Sequence, residues 1–97
     1  MIVNICGIAH TVIEVEDNFD SDMHLGQIDY KRAEIRINKG ASSDIKEETI
    51  CHEMLHGILV HIGREDLSQD EALVTALANA IYQGFDVFDL SKIGGEE

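Results

Sequence analysis

The sequence predicts an α+β fold, a small antiparallel or mixed sheet of N-terminal hairpins packed on two C-terminal helices. Three observations carry this. Residues 1–38 hold short runs rich in Ile and Val that alternate in part with polar residues and are broken by turn formers. Residues 44–62 and 68–82 place apolar side chains at helical spacing. All the strands precede all the helices, which is not the alternation that builds a parallel βαβ sheet.

The elements follow in order. Residues 1–6 are apolar and β-branched and read as a strand that ends at Gly7, with Cys6 as a strand residue. Residues 8–16 alternate and read as its hairpin mate. Residues 17–24 (DNFDSDMH) are polar and turn-rich. Residues 25–30 and 33–38 form a second hairpin, LGQIDY-KR-AEIRIN, closed tightly at Lys31 and Arg32. A loop at 39–43 leads to the first helix. Ser43 or Asp44 caps that helix, Asp44 and Glu47 have capping-box spacing, and Gly63 stops it. Met54, Leu55, Ile58 and Ile62 form its apolar stripe, which is core. Residues 64–67 make a turn, and a second helix runs from Ser68 to Tyr82, with Gly84 at its end. Residues 85–90 alternate and can tuck onto the core, and 91–97 read as a frayed end.

Composition narrows the function. The 97 residues, 44% of them apolar, suit a single domain over 1–97. The net charge of −12, from 19 acidic and 7 basic residues, argues against nucleic acid and against an anionic membrane surface as partner. The apolar runs are too short to span a bilayer. The N-terminus lacks the basic stretch of a secretory signal. Cys6 and Cys51 are too few for a disulfide framework. A cytoplasmic, reducing setting is the expectation.

The chemistry concentrates in ETICHEMLHGIL, which contains His52, Glu53 and His56 in the pattern H-E-x-x-H. Residues four apart on a helix differ by about 40° and stand one turn above each other. His52 and His56 can therefore place two imidazole nitrogens about 2.1 Å from one Zn²⁺. Glu53 flanks that position and can take a proton from water bound there, acting as general base. A catalytic zinc commonly has three protein ligands. A third His six residues after the second is absent, because that position is Ile62, and His61 falls on the wrong face of the helix. An acid beyond the turn is the remaining solution. Glu71 is the first candidate, on an inward face shared with Val74, Ala78 and Tyr82. Asp70, or the loop pair Glu65 and Asp66, is the alternative ligand. Glu71 could instead close a capping box that begins at Ser68. Tyr30 and Tyr82 could each steady an oxyanion, although packing roles are commoner for tyrosine. His10 and His24 read as structural or exposed, and Arg64 as a partner of nearby acids.

ICHEMLHGILVHIG followed by DEALVTALANAIYQ resembles the small zincin-type metallopeptidases of phages and prophages, akin to the ImmA/IrrE-like family. The upstream hairpin LGQIDYKRAEIRIN is similar too, so the resemblance spans about residues 2–85. It implies a minimal zincin-like fold and an intracellular peptidase of the gluzincin kind. In that reading His52, His56 and Glu71 hold Zn²⁺, and Glu53 is the base. The partner is a protein or peptide substrate laid along the edge strand beside the helix, residues 33–38 or its hairpin mate. The alternative is a phage accessory protein with a structural zinc site and little or no hydrolysis.

Overall fold

The computed structural model describes residues 1–16, 25–84 and 93. Four strands, β1 (Ile2–Ile5), β2 (Ile8–Val15), β3 (Gly26–Asp29) and β4 (Glu34–Asn38), precede three helices, α1 (Ser43–His61), α2 (Glu65–Ser68) and α3 (Glu71–Gly84). The fold is α+β, with all described strands ahead of all described helices.

The β1–β2 hairpin turns through Cys6 and Gly7, with φ of 50° and 85°. Two consecutive positive φ values suit the right-handed twist of a two-residue hairpin. Cys6 is thus an exposed turn residue and not part of the strand expected over 1–6. The second hairpin is looser than its sequence suggests. Strand pairing ends at Asp29 opposite Glu34, leaving a four-residue connection. The Asp29 carboxylate accepts hydrogen bonds from the Lys31 and Arg32 amides at 3.0 and 3.1 Å. Ala33, with φ of 52°, belongs to this loop.

The sheet order is β1-β2-β4-β3. Both hairpins are antiparallel, and β2 pairs with β4 in parallel, Val12 opposite Ile35 and Glu14 opposite Ile37. The sheet is therefore mixed. β4, expected as a possible edge, lies inside it, and its hairpin mate β3 is the edge beside the helix. One face of the sheet supplies the core: Val3, Ile5, Val12, Ile35 and Ile37 are buried. Ile28, Met54, Ile58 and Ile93 pack partly buried against that cluster. Ile93 lies in the stretch expected to fray, and it docks instead. The alternation at 85–90, the loop 17–24 and His24 lie outside the described residues.

α1 lies between the sheet and α3, touching β1, β3 and β4 on one side and α2 and α3 on the other. Its start is capped by Ser42, whose hydroxyl accepts from the Ile45 amide at 3.3 Å, so neither Ser43 nor Asp44 is the cap. Its end follows the expected glycine stop. Gly63 donates to the Val60 carbonyl at 3.1 Å and Arg64 to the Leu59 carbonyl at 2.8 Å, the paired bonds of a Schellman ending. The buried stripe differs in part from the expected one: Met54 and Ile58 do pack on the core, partly buried. Ile50, Cys51, Glu53, Gly57 and Leu59 are buried, whereas Ile62 is 58% exposed beyond the last turn. Gly57 marks a close approach of helix to sheet. A Cβ there would stand 3.0 Å from the δ-methyls of both Ile5 and Ile28.

The second expected helix is divided. α2 is one turn, and α3 begins at Glu71, with Asp70 as the cap accepting from the Leu73 amide at 3.1 Å. Ser68 therefore caps nothing and is free for another role. At the far end of α3 the Tyr82 hydroxyl donates to Asp44 at 3.1 Å and ties α3 to the start of α1. Among the described residues no helix is long and apolar enough to cross a membrane.

Candidate metal centre

His52 and His56 project from successive turns of α1 as their spacing requires, with ring centroids 4.8 Å apart. Their Nε2 atoms are 3.1 Å from each other. Glu71, the first residue of α3, completes the group: one carboxylate oxygen is 3.1 Å from His52 Nε2, and the other is 2.9 Å from His56 Nε2. Among the described residues these three are the group of His, Cys, Asp and Glu side chains able to share one cation. Ligand atoms about 2.1 Å from a tetrahedral ion stand about 3.4 Å apart, a few tenths of an ångström more than here. Two imidazole nitrogens and a carboxylate oxygen also form a donor set that suits a divalent cation. The residues fit such an ion.

The other predicted ligands are elsewhere. Asp70 caps α3. Asp66 receives two hydrogen bonds from the Arg64 guanidinium, both at 3.0 Å, so Arg64 pairs with a nearby acid as expected. Glu65 is outside the group. Glu71 was expected to be buried with Val74 and Ala78, yet its side chain is 68% exposed. Sitting at the first position of α3, it leans out past the end of the helix interface, while Val74 and Ala78 one and two turns on are buried.

Glu53 stands beside this group and not in it, lining the same cavities as His52 and Glu71. It is on the sheet side of α1, 8% exposed. Burial, and then the negative Glu71, push its carboxyl from the ordinary 4.5 up to about 7. His56 titrates below its usual range, chiefly because burial penalises the imidazolium. Cys51 adjoins His52 in sequence but takes no part; burial raises its thiol to about 11.

Two cavities flank the group. One, of about 320 Å³, is lined by Leu25, Gly26, Glu48, Thr49, Thr75 and the site residues His52, Glu53 and Glu71. The other, of about 340 Å³, is lined by Gln27, Ile28 and Tyr30 with His52, Glu53, His56 and Glu71. Gly26 borders both, so the edge strand β3 runs past the site from one cavity to the other. Tyr30 thus stands at the site and Tyr82 does not. The Tyr30 phenol is raised above its usual range, mainly by burial.

Sequence reasoning missed the role of Ser68. It is buried at 7% exposure, and its Oγ is hydrogen-bonded to His56 Nδ1 at 2.9 Å. The signal was its position, one turn past the glycine stop and facing back along α1, but a serine before an acidic residue reads first as a cap. His61 is exposed and stacks edge-on with His10 and Tyr30, each at 6.2 Å between ring centroids. His10 is buried at 1% exposure, its Nδ1 donating to the Ile8 carbonyl at 2.9 Å. His61 is a surface and packing residue, as its place on the helix suggested, and His10 is structural, as a lone histidine in a strand usually is. A scan against protein-family models, a search of curated proteins and a search of solved structures each returned no match.

Proposed function

We propose that the chain is a zinc-dependent peptidase that hydrolyses peptide bonds in a cytoplasmic setting. One observation carries this reading. The Nε2 atoms of His52 and His56 stand 3.1 Å apart and each meets a different oxygen of Glu71, at 3.1 and 2.9 Å, next to a buried carboxylate, and the group opens onto a sheet edge. The resemblance of the helical half to zincin-type metallopeptidases adds to it, and so does the chemistry of the donor set, since His and carboxylate ligands suit zinc.

A zinc ion held there would supply Lewis acidity to a water and to a substrate carbonyl. The chain's own residues do the rest. Glu53 receives the proton of the attacking water on its carboxylate and returns it to the leaving amine. A base of pKa near 7 is matched to both transfers at neutral pH. Burial on the sheet side holds that carboxylate to one side of the ligand group and keeps it out of the donor set. Tyr30 keeps its phenolic proton, because burial raises its pKa, and so can donate a hydrogen bond to the oxyanion. β3 offers its outer backbone groups to an extended peptide, with a cavity on each side of the scissile bond to accept side chains.

Glu53→Gln tests the assignment. The variant is expected to bind one zinc per chain and keep its fold while losing cleavage of a mixed peptide library by at least about a hundredfold, the usual scale for removing a general base. Cleavage that survives in Glu53→Gln removes Glu53 from the reaction. If neither form cuts any peptide while both bind zinc, the cation is a structural staple and the peptidase reading fails.

A further inference from the structure

We infer that Ser68 is a positioning residue for the metal centre: its hydroxyl accepts a hydrogen bond from the His56 Nδ1–H and so directs the Nε2 lone pair at the cation. The inference rests on the reading of His52, His56 and Glu71 as a cation site, and it adds a residue from a fourth position in the fold.

A histidine that ligates through Nε2 carries its proton on Nδ1, and that proton needs an acceptor when it is buried. His56 is largely buried, and Ser68 Oγ lies 2.9 Å from its Nδ1. The hydroxyl can donate one proton and accept at its lone pairs. A destination for its own proton is at hand, because Oγ also points at the His56 carbonyl oxygen, 3.5 Å away. A carbonyl can only accept. With the hydroxyl proton turned to that oxygen, a lone pair is left facing Nδ1. Both of these contacts go to His56, backbone and ring, and together they restrict ring rotation as well as tautomer, while the Ser68 side chain also meets the Tyr30 phenol. His52, one turn earlier, has no such partner among the described hydrogen bonds; its Nε2 meets Glu71 and His56. The two imidazoles are therefore unequal, His56 held from behind and His52 held only from the front.

The local structure explains why a serine can do this. α2 is a single turn wedged between the end of α1 and the start of α3. Its Ser68 is the one residue it buries, and it is not needed as a cap because Asp70 serves α3. The Ser68 amide is itself tied to the Arg64 carbonyl at 3.2 Å, just beyond the glycine stop. The hydroxyl is thereby fixed relative to α1.

The test compares the wild-type chain with Ser68→Ala and Ser68→Thr, using zinc competition against a chromophoric chelator at pH 7.5. Ser68→Ala is expected to weaken zinc binding about ten- to a hundredfold, the range measured when an outer partner of a ligating histidine is removed. Ser68→Thr, which keeps the hydroxyl, is expected to recover affinity to within a few-fold. In the zinc-loaded wild type, nitrogen-resolved proton spectra should show a slowly exchanging His56 Nδ1 proton, and that signal should vanish in Ser68→Ala. A purely structural serine would alter melting without moving that proton. Equal zinc affinity in wild type and Ser68→Ala, or a His56 Nδ1 proton that exchanges freely in the loaded wild type, overturns the role of Ser68 alone. Absence of zinc binding by the wild type overturns the cation site itself, and the role with it.

Discussion

α1 and α3 both deliver residues to the same few ångströms, but they are anchored very differently. α1 is pressed between the sheet and α3. Ile50 is fully buried, and Gly57 lets the helix settle against the δ-methyls of Ile5 and Ile28 immediately after His56. α3 buries only Val74 and Ala78 among its described residues, and Leu77 is 40% exposed. His52 and His56 are thus placed by the core of the molecule. Glu71 is placed by a one-turn helix, a cap at Asp70 and its own rotamer. The contrast separates affinity from stability: the histidine half of the centre is coupled to the fold, whereas the carboxylate half can be altered with little effect on it.

Glu71→Ala should give the largest separation. Zinc affinity is expected to fall by more than the roughly hundredfold that an outer partner can cost, while the metal-free melting temperature stays within about 2 °C, since an exposed residue that is not itself a cap contributes little. Glu71 directly follows the Asp70 cap, but it is exposed and is not itself the capping side chain. Competition titration and a melting scan with chelator read the two quantities. A large drop in metal-free stability would show that Glu71 is part of the core after all.

Glu53→Gln breaks the comparison on the buried side. In the metal-free protein the carboxyl titrates at about 7 when folded and near 4.5 when unfolded. An acid with a raised folded pKa destabilises the fold progressively as pH rises from about 4.5 to about 7. The whole difference amounts to about 3 kcal/mol above that window. Glu53→Gln should therefore exceed the parent by up to about 3 kcal/mol at pH 8, and the gap should close towards pH 4.5. Urea unfolding of both proteins in chelator across that range measures it, and the histidines cancel in the difference. A gap that does not change with pH would mean that the carboxylate is solvated in the folded chain.

Asp70→Ala is the mildest of the three. Loss of the cap is expected to cost about 1 kcal/mol, with zinc affinity reduced by no more than a few-fold as the first turn of α3 loosens. A loss of affinity as large as that of Glu71→Ala would make Asp70 a ligand and not a cap.

Much of this was legible in the chain. The hairpins follow from β-branched runs and from Gly7, although Cys6 joins the first turn and the second connection is longer than its sequence suggests. The i, i+4 histidines follow from the helical repeat, and Glu71 from the need for a third ligand across a short turn. The parallel pairing of β2 with β4 was not legible, because it joins Thr11 to Glu34 over a long separation and has no local signature. The exposure of Glu71 was missed for a related reason. Angular position on a helix wheel says which face a residue shares, but not whether the neighbouring element extends far enough to cover it. Ser68 was misread because both it and Asp70 are residue types that cap helices, and which one caps α3 is decided by where the helix starts.

The solvent-facing carboxylate of Glu71 also bears on traffic. An exposed side chain swings between rotamers in picoseconds to nanoseconds, and Glu71 can do so without disturbing Val74 or Ala78 behind it. An ion seated on the two imidazoles can therefore come and go by the release of one arm, with the sheet and α1 standing still. The residence time of such an ion would then be set by local bond strengths and not by the rate at which the protein opens.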